Sequence, residues 1–95
     1  MAEYTVERED SPAGGRYVVR LSGAEAEMTY SRAGTSRIII DHTGVPDSLR
    51  GLGVGQRMVE QAVQDARREG FKIIPLCPFA KATLEKHPEW QDVVQ

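Results

Sequence analysis

The stretch Leu49–Gly70, LRGLGVGQRMVEQAVQDARREG, decides how this chain is read. From Val54 onward its apolar positions are Val54, Met58, Val59, Ala62, Val63 and Ala66, a spacing that places them on one face of an α-helix. Gln56, Arg57, Glu60, Gln61, Gln64, Asp65 and Arg68 take the opposite face, and Gly70 is placed to end the helix as a left-handed cap. The start is the anomaly. Gly51, Gly53 and Gly55 stand on alternate positions where Ser, Thr, Asp or Asn usually caps a helix. A helix N-terminus has N–H groups without partners and a partial positive charge. With no capping side chain, and with Arg50 and Arg57 on either side, this turn is suited to receive an external anion, most naturally a phosphate. A glycine turn that only lets helix and sheet pack closely is the competing reading. The stretch is not a P-loop, because no GK[ST] follows, and it lacks the βαβ setting of the dinucleotide fingerprint.

Working outward, the residues before this stretch alternate as strands do. YTVERED from Tyr4, RYVVRL, AEAEMTYSR after Gly23 and RIIID are separated by the turn signals SPAGG and AGTS. They predict an antiparallel meander of three or four strands. The run Ile38, Ile39, Ile40 predicts a central strand buried on both faces. After the helix, FKIIPL reads as a strand in which Pro75, lacking an N–H, leaves one side unpaired. PFAKATLEKH reads as a short helix with Pro78 at its first position, stopped by Pro88. Trp90 and the valines of EWQDVV are expected to pack back on the core, and Tyr4, Tyr17 and Tyr30 read as packing aromatics. Strands, helix, strand and helix in this order predict an α+β fold of helices against a mostly antiparallel sheet.

The whole chain of 95 residues is expected to be one domain, 1–95. A formal net charge of −2 with no basic block makes nucleic acid a poor partner, and no apolar run is long enough to cross a bilayer. No signal peptide is read at the N-terminus. Cys77 is the single cysteine and there are two histidines, so no metal site is expected and a reducing, cytoplasmic setting is the simplest reading. Monomer and dimer both stay open.

The sequence Arg50-x-x-Gly53-x-Gly55, following a strand and a Val-Pro pair, resembles the acetyl-CoA signature of the GNAT N-acetyltransferases. From about His42 to Val94, including CPF at Cys77–Phe79 and HPE at His87–Glu89, the chain resembles small single-domain GNAT-like proteins. That resemblance implies a shortened GNAT-like fold and an acetyl-CoA-dependent N-acetyltransferase acting on an amine, either a small molecule or a protein lysine. It implies that the backbone of Gly51, Leu52, Gly53, Val54, Gly55 and Gln56 holds the CoA pyrophosphate, with Arg50 shaping the turn. Thr43, Gly44 and Val45 would pair with the pantetheine arm, as a ligand carrying amides adds to a strand edge. Arg57, Pro78 and Lys81 complete the implied binding set.

Two residues are candidates for chemistry. Cys77 follows the splayed strand at the start of the last helix, where a thiol's pKa falls. It reads either as an acetyl carrier or proton donor to the departing CoA thiolate, or as a small buried core residue. His42 is a candidate base, with a core or surface role as the other reading. Alternation puts Asp41 on the face opposite His42. Glu85, Lys86 and His87 read as a solvated helix face, with His87 securing the turn. Many GNAT enzymes carry an acidic tyrosine on the last helix; the matching position here is Thr83. A CoA or acyl-CoA-binding module without transfer is the alternative function.

Overall fold

The computed structural model describes residues 4–95. Five strands lie in the sheet in chain order: β1 (Glu7–Asp10), β2 (Gly14–Leu21), β3 (Ala24–Ala33), β4 (Arg37–Gly44) and β5 (Lys72–Pro75). The first four form the expected antiparallel meander. Helix α1 (Val54–Glu69) then crosses over so that β5 pairs parallel to β4. Helix α2 (Pro78–Glu85) and a 3-10 segment, Pro88–Val93, close the chain. The architecture is the predicted α+β one.

The apolar stripe of α1 is buried along its length, from Val54 to Ala66. It packs with Tyr17, Val19, Met28, Ile38 and Ile40 of the sheet and with Leu84 of α2. Gly70 ends α1 with φ 81°, the left-handed conformation expected of it. Trp90 and Val93 pack back on this core as predicted. Asp65 departs from its expected place on the solvated face, being 2% exposed. It accepts hydrogen bonds from Tyr17 Oη at 2.8 Å and Arg68 at 2.6 Å, and Arg8 Nη1 reaches it at 3.4 Å. Arg8 also reaches Glu69 at 2.6 Å and lies over the rings of Tyr17, Tyr30 and Phe71. A cation from the edge strand β1 thus covers the side of α1 that periodicity alone assigns to water.

The second face of the sheet carries no helix among the described residues. Arg16 bridges Glu9, Glu25 and Glu27, and Arg20 bridges Glu7, Glu9 and Glu25. The expectation of burial on both faces of β4 is therefore corrected. Ile38 and Ile40 enter the core, whereas Ile39, on the uncovered face, is only half-buried. A bulge corrects a second expectation. Tyr30 pairs with Ile40 but Thr29 pairs with His42, so Asp41 is an extra residue in β4. It resets the alternation and brings Asp41 onto the same face as His42, where it accepts a hydrogen bond from Ser31 Oγ at 2.7 Å.

Candidate functional site

The site begins where β5 stops. Pro75, opposite Ile40, is its last residue. The amides of Leu76 and Cys77 then both donate to the Ile40 carbonyl, at 3.2 and 3.0 Å. Beyond that point β4 continues to Gly44 with β3 on one side and, among the described residues, no strand on the other. A proline at the point of separation matches its missing N–H. The backbone from Asp41 to Gly44 is left as an open strand edge.

The chain leaves β4 through a 3-10 turn, Asp47–Leu49, that buries Leu49. Arg50 Nε pairs with Asp47 Oδ1 at 2.9 Å on the exposed side of the turn. Gly51 and Gly53 follow with φ 86° and 73°. A Cβ at either would meet open space, so left-handed backbone and not crowding calls for glycine there. Gly53 caps α1 with no side-chain hydrogen bond, and no acidic residue stands in the first turn. The first intrahelical bond runs from the Arg57 amide to the Gly53 carbonyl, at 3.0 Å. The amides of Val54, Gly55 and Gln56 precede it and are available to a ligand. Gly55 has a different reason. A Cβ there would lie 2.6 Å from Phe79 Cζ, so its missing side chain seats that ring. The packing reading holds at Gly55, and at Gly51 and Gly53 the left-handed backbone is what calls for glycine.

The edge of β4, the turn, the start of α1 and one face of α2 enclose a cleft of about 460 Å³. Thr43 and Val45 line it from the strand side; Leu49, Arg50, Gly51, Gly53, Val54, Gly55 and Gln56 from the turn and helix; Phe79, Thr83, Lys86 and His87 from the other wall. Eight of the anticipated CoA-binding residues thus come together. Five do not line the cleft. Arg57 pairs with Glu60 along α1. Lys81 lies on another side of α2, in a hollow with Pro75 and Gln91. Gly44 borders a hollow with Glu25 and Glu27. The Leu52 carbonyl accepts from Tyr4 Oη at 3.1 Å, and Pro78 starts α2.

Lys86 and His87 border the cleft on this wall, Lys86 exposed to solvent as the sequence reading has it and His87 half-buried. Phe79, Thr83 and Lys86 are spaced by four and three residues, a helix stripe that the sequence contained. Its mixed chemistry hid it: an aromatic, a hydroxyl and a cation do not register as one apolar face. His87 does secure its turn, stacking on Trp90 at 3.9 Å between ring centres, with Nδ1 3.0 Å from Glu89 Oε2. The same ring borders the cleft.

Thr83 is 7% exposed and lines the cleft. Cys77 is 5% exposed at the N-cap of α2, and its Sγ lies 3.3 Å from Thr43 Oγ1. Burial pushes this thiol up; the Thr43 hydroxyl and the amides of Ala80 and Phe79 outweigh that and hold it below the ordinary thiol range. Cys77 does not line the cleft, and Thr43 stands between the two. His42 is exposed on the helix-free face, opposite Thr29. Among the described residues no group of three or more His, Cys, Asp or Glu is placed to hold a metal ion, and no helix is long and apolar enough to cross a membrane.

Residues 16–93 match the family model of the GCN5-related N-acetyl-transferases. The chain belongs to this family. Its fold agrees: a GCN5-like protein from Staphylococcus aureus, solved in solution by NMR, superposes with a TM-score of 0.70 at 39% identity, covering 94% of this chain and 87% of that one. Protein NATD1 of Xenopus tropicalis is 27% identical over 75 residues, 77% of this chain and 69% of the relative. Protein NATD1 of Gallus gallus is also 27% identical, over 77% of this chain and 68% of its own length. Family and fold make this GCN5-related chain an acyltransferase of the N-acetyltransferase type.

Proposed function

We propose that the chain, folded as a single domain, transfers an acetyl group from acetyl-CoA to an amine. The observation that carries this reading is one cleft in which an open strand edge meets a helix start that no side chain caps. A thioester on a pantetheine arm is an extended ligand with amides at one end of the cleft and phosphates at the other. The β4 edge from Thr43 to Val45 offers backbone groups to the amides. The amides from Gly51 to Gln56 offer partners to the pyrophosphate. Lys86 adds a cation, and Thr83 a hydroxyl, on the facing wall. Acetyl-CoA supplies the activated acyl group; the protein holds it still and aligns it, which is where much of the rate of such a transfer comes from.

Cys77 is the proton donor to the departing thiolate in this reading, and His42, one residue from Thr43 on the opposite face of β4, is the base for the incoming amine. The amine then arrives from the helix-free face. The single cysteine fits a reducing compartment, and we place the protein in the cytoplasm. One observation favours the alternative of a CoA-binding module without transfer: no carboxylate lines the cleft among the described residues.

Thermal unfolding with CoA, acetyl-CoA and ATP, beside a Gln56→Glu variant, tests the reading. A ligand that binds only the folded protein adds about 2.7 kcal/mol at a hundred times its dissociation constant. Both CoA forms are expected to stabilise the native chain and ATP much less. Gln56→Glu places a carboxylate in the first turn of α1, which favours the unligated helix and repels phosphate. The variant should therefore melt no lower than the native chain yet lose most of the CoA shift. Release of free CoA in the presence of an amine separates the transferase from the binding module. Absence of any CoA shift contradicts both.

A further inference from the structure

Acyl transfer leaves a thiolate in the cleft that must be protonated. Cys77 carries a thiol proton just outside the cleft, whose lining does not include it. Thr43 reaches both. Its side chain lines the cleft, and its Oγ1 accepts the hydrogen bond of the Cys77 thiol at 3.3 Å.

We propose that Thr43 is a catalytic residue of this site, relaying the Cys77 proton into the cleft. The Sγ–H bond of Cys77 breaks as its proton passes to Thr43 Oγ1. In the same event the hydroxyl proton that Thr43 carried leaves for the thiolate in the cleft. Thr43 ends as it began, a neutral hydroxyl, and Cys77 ends as a thiolate. The amides of Phe79 and Ala80 at the start of α2 stabilise that charge. The proton shed by the acylated amine restores the thiol, so no external reductant or oxidant enters. Cys77 acts only through Thr43, and the buried position of the thiol is then part of its role: it gives a proton without competing as an acyl acceptor.

This relay rests on the binding of acetyl-CoA proposed above, and its test separates the two. Thr43→Val, Thr43→Ser, Cys77→Ala and the Thr43→Val/Cys77→Ala double variant are compared with the native chain by three readouts. The first is thermal stabilisation by acetyl-CoA. The second is CoA release from acetyl-CoA with hydroxylamine, an amine already unprotonated at neutral pH, so that the leaving thiolate is the step examined. The third, on ligand-free protein, is the pH dependence of Cys77 alkylation by iodoacetamide. The relay predicts that Thr43→Val keeps the thermal shift, slows CoA release by about a hundredfold and moves the alkylation midpoint upward. Thr43→Ser should stay close to native in all three. The double variant should be no slower than either single one, as befits residues acting as a unit. CoA release unchanged in Thr43→Val, multiplied losses in the double variant, a fall in Thr43→Ser equal to that in Thr43→Val, or an unmoved alkylation midpoint each overturns the relay. So does a native chain that binds acetyl-CoA but releases no CoA. A native chain with no thermal shift overturns the binding reading itself, and the relay with it.

Discussion

Single atoms decide what each glycine around the start of α1 does. Gly53 holds φ 73° with nothing near its missing Cβ, whereas Gly55 leaves room for a ring 2.6 Å away. Gly53→Ala is expected to cost roughly 1 kcal/mol of stability, the price of a left-handed backbone for an L-residue. Gly55→Ala gains helix propensity of about 1 kcal/mol and displaces Phe79, whose ring is 42% exposed and free to swing outward. Its net stability change should stay below that of Gly53→Ala, while its stabilisation by acetyl-CoA falls because the ring leaves its seat. Urea unfolding of both variants checks the order. From sequence the three glycines were legible as a group with an anion-binding character. Their division into two conformational positions and one packing position was not, because it depends on Phe79, which is 24 residues away in the chain.

At the scale of elements, the helix α1 was the most legible part: its buried stripe, its bare start and its glycine end are all local patterns. The strands were legible as a meander, and Pro75 as the point where β5 stops pairing. What was not legible came from partners distant in sequence. The bulge at Asp41 exists only in the pairing of β3 with β4, and it undid the alternation used to separate Asp41 from His42. The burial of Asp65 depends on Arg8, which lies in another element altogether. That contact also gives a pH prediction. The Arg8 guanidinium holds Glu69 below the usual carboxylate range, as Arg16 does for Glu9 and Glu25 and Arg67 for Asp92. Each of these groups titrates lower in the folded chain than in the unfolded one. Their stabilisation is therefore present above the unfolded value of about 4 and lost as the pH falls through the folded values. The melting temperature should hold level from pH 7 to about 5 and drop below about 4, less steeply in high salt because most of the pairs are exposed. A melting temperature that rises on acidification below pH 4 would contradict these assignments.

Over the whole molecule, one sheet face is given to the core and the cleft, and the other is left open with a lattice of arginine–glutamate pairs. The cleft exists because β4 outlasts β5 and α1 starts without a cap beside it, two features drawn from segments more than ten residues apart. The family resemblance read from Arg50, Gly53 and Gly55 located this cleft, and eight of its lining residues were anticipated. The facing wall of Phe79, Lys86 and His87 was missed, because only the docking of α2 against α1 seats the Phe79 ring on Gly55. The central claim is that acetyl-CoA lies along the β4 edge with its phosphates on the glycine turn. It is tested most directly by following the backbone amides of the native chain in solution by NMR as CoA is added. The account predicts the largest shifts at Gly51–Gln56 and at Thr43–Val45, smaller ones at Thr83 and Lys86, and none along β1 and β2. Shifts centred on the helix-free face, or none at Gly51–Gln56 at saturating CoA, would contradict it.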